Sequence, residues 1–165
     1  MSNPVLEVSD LTIQYSTDRG PVTAVSDASF TIDEGEYFGL VGESGCGKST
    51  IARAVMGALD DNGQVTSGTI RVNGEEIQDY STEEMNERIR WKKISFIPQS
   101  SMNNLDPLLR IEKQAKKLAS IHTDMSPGEA SERLAEMFEI VGLSKARISD
   151  YPHQFSGGMQ QRAVI

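Results

Sequence analysis

Cysteine is nearly absent from this sequence: Cys46 is the sole thiol among 165 residues. A single cysteine excludes an internal disulfide and any multi-cysteine zinc or iron–sulfur centre, and it fits a reducing compartment such as the cytosol. Long apolar runs are missing too. Spanning a bilayer takes about 18–20 consecutive apolar residues, and even the apolar segment at 51–59 is broken by Arg53. The opening residues, MSNPVLEVSD, hold neither a basic region nor an apolar one, so no secretory signal is expected and any membrane role is peripheral. Positive charge is in deficit, with 16 Lys and Arg against 24 Asp and Glu and a net charge of −8. Nucleic-acid affinity rests mainly on Lys and Arg neutralising phosphates, so no nucleic-acid partner is expected. The same acidity suits a salt-rich cytoplasm as well as an ordinary acidic protein.

What is present suffices for one folded core. Apolar residues make up 38% of the chain, and polar, glycine and proline residues are spread through it rather than segregated. Period-two alternation at 5–8, 11–15 and 22–32, with a turn at Thr17-Asp18-Arg19-Gly20, predicts antiparallel strands. Tyr37-Phe38-Gly39-Leu40-Val41 is a short apolar run of the kind found in strands buried on both faces. Helical spacing of Ile51, Ala54, Val55 and Ala58 predicts a helix over 49–59 that ends at Asn62-Gly63. A strand and turn follow at 68–74, a helix at 81–90 opened by the pair Ser81 and Glu84, and a second buried strand at 94–97. The remainder reads as helices: one over 112–121, and another opened by Ser126-Pro127-Gly128-Glu129, with Leu134, Met137, Phe138 and Val141 on its apolar face and Gly142 as its stop.

Between the run at 37–41 and the following helix lies Gly42-Glu43-Ser44-Gly45-Cys46-Gly47-Lys48-Ser49, a glycine-rich loop with lysine and serine at its end. Each residue type has a task there. Glycines let successive backbone N–H groups curl inward as an anion nest, and the helix adds its positive end. Lys48 is placed to reach phosphate oxygens, and the Ser49 hydroxyl to ligate Mg²⁺. An ordinary glycine-rich turn is the plainer reading, but the strand–loop–helix setting is the one that phosphate binding requires. A second hydroxyl-and-glycine helix start, Ser156-Gly157-Gly158-Met159-Gln160, is likewise anion-receptive.

Taken together, these segments resemble the ATP-binding subunits of ABC transporters over essentially the whole chain. Gly42 to Thr50 matches the Walker A loop (Gly42, Glu43, Ser44, Gly45, Cys46, Gly47, Lys48, Ser49, Thr50), and Phe155 to Gln160 matches the signature, with Met159 in the usual glutamine position. Tyr15 matches the aromatic residue that stacks on adenine, and Gln99 the Q-loop glutamine. The chain resembles the peptide-importer branch, which includes nickel importers, in Gln99-x-x-Met102-x-x-Leu105-Asp106-Pro107, in Val141-Gly142-Leu143 and in Tyr151-Pro152-His153-Gln154-Phe155-Ser156-Gly157-Gly158-Met159-Gln160-Gln161-Arg162. Trp91 stands where that branch often has glycine, and Ser100-Ser101 where it often has Asp-Pro.

The resemblance implies an α/β fold, a P-loop NTPase core with an N-terminal antiparallel β-subdomain and a helical subdomain over about 110–157. It implies ATP and Mg²⁺ as ligands. Tyr15, residues 42–50, Ser156, Gly157, Gly158 and Gln160 would hold the nucleotide, Lys48 and Gln99 would serve catalysis, and Ser49 and Gln99 would reach the metal. A second ATPase in a head-to-tail dimer, two membrane permeases and an extracellular solute-binding protein are the implied partners, at the cytoplasmic face of the membrane. In the family the Walker B carboxylates and the switch histidine follow the signature helix, so residues 1–165 are expected to be a partial domain that does not hydrolyse ATP alone. The competing readings are a non-transport ATPase of DNA repair or translation, and an inactive remnant.

Overall fold

Alternation of apolar and polar residues makes the first third a β-hairpin, β1 (Leu6–Thr17) and β2 (Gly20–Ile32), joined by the two-residue turn Asp18-Arg19. Gly20 takes φ +105°, and the Thr17 hydroxyl donates to its carbonyl at 2.7 Å. The computed structural model describes residues 4–98 and 104–165. Its backbone divides into two compact units, Met1–Ser95 and Phe96–Ile165.

The first unit is built on an antiparallel sheet of order β2-β1-β3-β4, with β3 at Gly63–Val72 and β4 at Glu75–Glu76. The alternation that suggested separate strands at 5–8 and 11–15 belongs to one strand, β1, which slips register between Val8 and Leu11, where Asp10 adopts φ +49°. Opposite that irregularity Gly68 has φ +86°, and a Cβ there would lie 2.4 Å from the Asp10 carbonyl oxygen. No other residue type fits so close a backbone approach. Asn73-Gly74, both at positive φ, turns β3 into β4 as such pairs do in two-residue hairpins.

Helix α1 (Lys48–Val55) lays Ile51, Ala54 and Val55 on this sheet, where they join Val8, Leu11, Ile13, Val25, Ile70 and Val72 in one core. Each of the Val, Leu and Ile side chains withdrawn from water stabilises the fold by roughly 1.5–3 kcal/mol. The helix stops earlier than its spacing suggested. Gly57 at φ +59° ends it, with Ala58 N–H donating to the Arg53 carbonyl and Gly57 N–H to that of Ala54, while Asn62-Gly63 opens β3 instead. The helix expected over 81–90 starts as predicted: Ser81 Oγ accepts from Glu84 N–H and Glu84 Oε2 from Ser81 N–H. This helix, α2 (Thr82–Glu84), widens into a π-turn at Met85–Ile89, which buries Met85 and Ile89.

Neither apolar run predicted as a buried strand is paired in the sheet. Tyr37 and Val41 are 102% and 93% exposed, and Phe38 rests on Phe30 with ring centroids 5.0 Å apart. Phe96 and Ile97 are about half exposed, and Ile94 makes a lone bridge to Arg90. A strand buried on both faces needs strands on its edges and helices over its faces. Among the described residues no strand lies beside either run.

The second unit is helical. Its elements are α3 (Ile111–His122), α4 (Pro127–Ile140) and α5 (Gly157–Val164), with short 3₁₀ turns at Lys145–Ser149 and Pro152–Gln154. Ser126 and Glu129 cap α4 reciprocally, and Gly142 at φ +72° ends it, with Leu143 N–H bonded to the Phe138 carbonyl at 2.7 Å. Ile111, Phe138, Leu143 and Phe155 form the core, the rings of Phe138 and Phe155 meeting edge to face.

Candidate functional site

The glycine-rich loop hangs between Val41 and the start of α1. Gly45 and Gly47 take φ +83° and +93°, conformations that residues with a Cβ enter at a cost. Gly47 is doubly constrained, because a Cβ there would lie 2.5 Å from the Ala24 carbonyl oxygen and 2.9 Å from Val25 Cγ2. The loop is thereby pressed against β2. Gly47 is also the N-cap of α1, and its carbonyl takes the first helical bond from Ile51 N–H. The N–H groups of Lys48, Ser49 and Thr50 therefore face out of the helix start without intrahelical acceptors, where an anion is favoured.

Lys48 folds back over the loop. Its ammonium donates to the carbonyls of Gly42 at 2.9 Å and Glu43 at 2.6 Å, and lies 3.4 Å from Cys46 Sγ. A positive charge is thus held over the loop carbonyls, beside the start of α1. This donor set, an ammonium, glycine N–H groups, a helix start and the Ser49 hydroxyl, fits a polyphosphate with its counter-cation. Among the described residues no cluster of three or more His, Cys, Asp or Glu could hold a metal unaided.

Tyr15 sits at the hairpin end of β1, across from Val22 on β2 and Gly63 on β3. Its ring lies where a Gly63 side chain would be, with Cε1 2.7 Å from an ideal Cβ. Val22 and Ala24 are two residues apart on β2, about 7 Å, so Tyr15 and the phosphate loop abut the same short stretch of that strand. Gln99 lies outside the described residues.

On the second unit, Ser156 begins α5 in extended conformation and makes no capping bond to its own helix. Gln160 is turned back, donating to the Pro152 carbonyl at 2.7 Å. Arg147, which no sequence pattern singles out, spans the turn before Ser156 and packs 4.8 Å over the Phe155 ring. His153 stacks on Tyr151 at 5.5 Å, a packing role.

A glycine-rich loop with a lysine folded over it between a sheet and a helix, and a serine–glycine helix start on a helical unit, are what an ATP-binding cassette is expected to carry. The chain belongs to the ABC transporter family, whose model matches residues 25–165. It is 43% identical over 166 residues to the oligopeptide transport ATP-binding protein OppD of Salmonella typhimurium, covering 99% of this chain and 49% of that protein. To the dipeptide transport ATP-binding protein DppD of Lactococcus lactis it is 41% identical over 164 residues, covering 98% and 47%. It thus spans about half the length of the curated relatives it matches. Among solved structures, the dimeric MJ0796, a bacterial ABC transporter cassette, superposes with a TM-score of 0.80 at 29% identity, over 97% of this chain and 67% of that one. A second MJ0796 structure, a post-hydrolysis dimer bound to ADP and phosphate, matches with a TM-score of 0.80 at 28% identity, over 96% and 66%. The fold is that of the ABC ATPase cassettes.

Proposed function

We propose that this chain is the nucleotide-binding part of an ATP-hydrolysing subunit that drives peptide uptake through an ABC importer. The observation that carries the reading is the Lys48 ammonium held over the loop carbonyls at the mouth of the 42–49 cradle. When phosphate enters, that ammonium exchanges two neutral carbonyl acceptors for anionic oxygens, adding the attraction of opposite charges to a bond its own charge already strengthens. The N–H groups at the start of α1 fix the phosphate chain, and Gly47, seated on β2, keeps the loop from yielding. Tyr15 offers a ring to the base beside it.

Ser49 and Gln99 would hold Mg²⁺, which neutralises phosphate charge and aligns the chain for in-line attack. Residues of about 110–157 act as the helical subdomain, presenting Ser156, Gly157, Gly158 and Gln160 to a nucleotide bound on a second ATPase in a head-to-tail dimer. Two permeases at the cytoplasmic membrane face and a solute-binding protein outside complete the transporter. Peptide is favoured as cargo because the similar OppD and DppD proteins are named for oligopeptide and dipeptide transport.

The test is peptide uptake and ATP turnover by the reconstituted transporter, with wild-type protein and with Lys48→Ala. Uptake of labelled oligopeptide that follows ATP and stops in the variant is expected. Uptake or turnover that persists in the variant sinks the assignment.

A further inference from the structure

The turn that leads into α5 is held by a side chain outside the signature. Arg147, on the 3₁₀ turn Lys145–Ser149, donates through Nε to Asp150 Oδ2 at 2.8 Å and through Nη2 to the Gln154 carbonyl at 2.8 Å. Its Nη1 lies 3.5 Å from Met159 Sδ, and the guanidinium sits 4.8 Å over the Phe155 ring. These four contacts reach residues on both sides of Ser156, Gly157 and Gly158, and none of them uses those three. Gln160 ties the same turn from the helix side through the Pro152 carbonyl. A planar fork with fixed N–H directions bridges such a set, whereas a lysine ammonium offers a point charge on a flexible stem.

Ser156 does not cap α5 itself, so its direction depends on the backbone before it. That backbone is the stretch Arg147 grips. We propose that Arg147 is a positioning residue for the signature: by fixing Gln154 and Phe155 it sets the aim of the Ser156 hydroxyl and of the first N–H groups of α5 at the terminal phosphate of the nucleotide on the partner ATPase. This rests on the reading of the preceding subsection. Arg147 touches no nucleotide; it acts through the turn. Transition-state stabilisation by preorganised donors is steep in position, and a misplacement of about 1 Å costs on the order of a hundredfold.

The experiment measures ATP turnover by the assembled transporter, alongside binding of a fluorescent ATP analogue to the separate subunit. Arg147→Ala is expected to lower kcat about tenfold while the analogue's Kd, which reports the phosphate loop, stays within twofold. Arg147→Lys should recover less than half of the loss, because charge alone does not restore the fork. Thermal melts identify any variant that unfolds the helical unit. Asp150→Asn, which weakens one prong and leaves the arginine in place, then carries the test with an expected two- to threefold fall in kcat. Arg147→Lys and Asp150→Asn turning over within 20% of wild type would overturn the proposal, as would a kcat loss in Arg147→Ala matched by an equal loss of analogue affinity. Wild-type protein that neither binds the analogue nor turns over ATP would instead overturn the functional reading itself.

Discussion

Lys48 Nζ lies 2.6 Å from the Glu43 carbonyl oxygen, within the glycine-rich loop proposed to hold phosphate. The cation is therefore already desolvated in part and already aimed. Binding needs a swing of the side chain from one set of oxygens to another.

Lys48→Ala should weaken binding of a fluorescent ATP analogue about a hundredfold, the equivalent of roughly 3 kcal/mol of charge-assisted hydrogen bonding. Fluorescence titration reads this directly. A Kd within threefold of wild type would show that the ammonium does not meet the phosphates.

Gly47→Ala should cost more stability than Gly35→Ala, although both positions have positive φ. Gly35, at +76°, has no atom within 4 Å of an added methyl, whereas at Gly47 the methyl meets the Ala24 carbonyl at 2.5 Å. Backbone strain of about 1–3 kcal/mol is common to both, and the collision adds to it at Gly47. Urea denaturation of the two variants gives the comparison; equal midpoints would mean that the loop has room to retreat from β2.

Trp91 occupies φ +66° with its side chain 60% exposed, and its N–H bonds the Ile94 carbonyl at 3.1 Å. Replacing it with glycine relieves about 1 kcal/mol of left-handed strain, and Trp91→Val should lose stability by a similar amount because a branched Cβ fits that region worst. The order Gly above Trp above Val in denaturation midpoint is the expected result. A glycine variant with a midpoint below wild type contradicts it.

Glu75 gathers three donors: Lys93 and Arg88 pair with it, and the Tyr80 hydroxyl donates at 2.5 Å. Lys93 first, then Tyr80, hold its carboxyl below the usual carboxylate range. A lowered folded value means stability that is present above the unfolded value, about 4.3, and lost as pH falls through the folded one. The stability gap between wild type and Glu75→Gln should be widest near neutrality and close below about pH 4. Chemical denaturation from pH 7 to 3 checks the sign, and a gap that widens in acid refutes it.

Features decided by near neighbours in the chain were legible in the sequence. The Ser81–Glu84 and Ser126–Glu129 caps and the Gly142 stop each need residues within about a turn of helix, and each formed as read. The glycine-rich loop was legible because its chemistry lies in consecutive residues. By contrast, pairing of the runs at 37–41 and 94–97 depends on strands elsewhere in space, which an apolar run does not specify. The end of α1 was misplaced because Gly57 forms its stop ahead of the more conspicuous Asn62-Gly63. Arg147 gave no signal at all, since its partners at 150, 154, 155 and 159 converge only after the turn has folded.

The contact of Gly47 with β2 also bears on how fast the site responds. The helix end of the loop, with no room for a methyl against its strand, is a hook and not a hinge, so on the proposed reading that end need not rearrange for a nucleotide to enter. The moving part is the four-carbon arm of Lys48, and side-chain rotations of that kind run in picoseconds to nanoseconds. On that reading, encounter by diffusion rather than an opening step is expected to set the pace of loading.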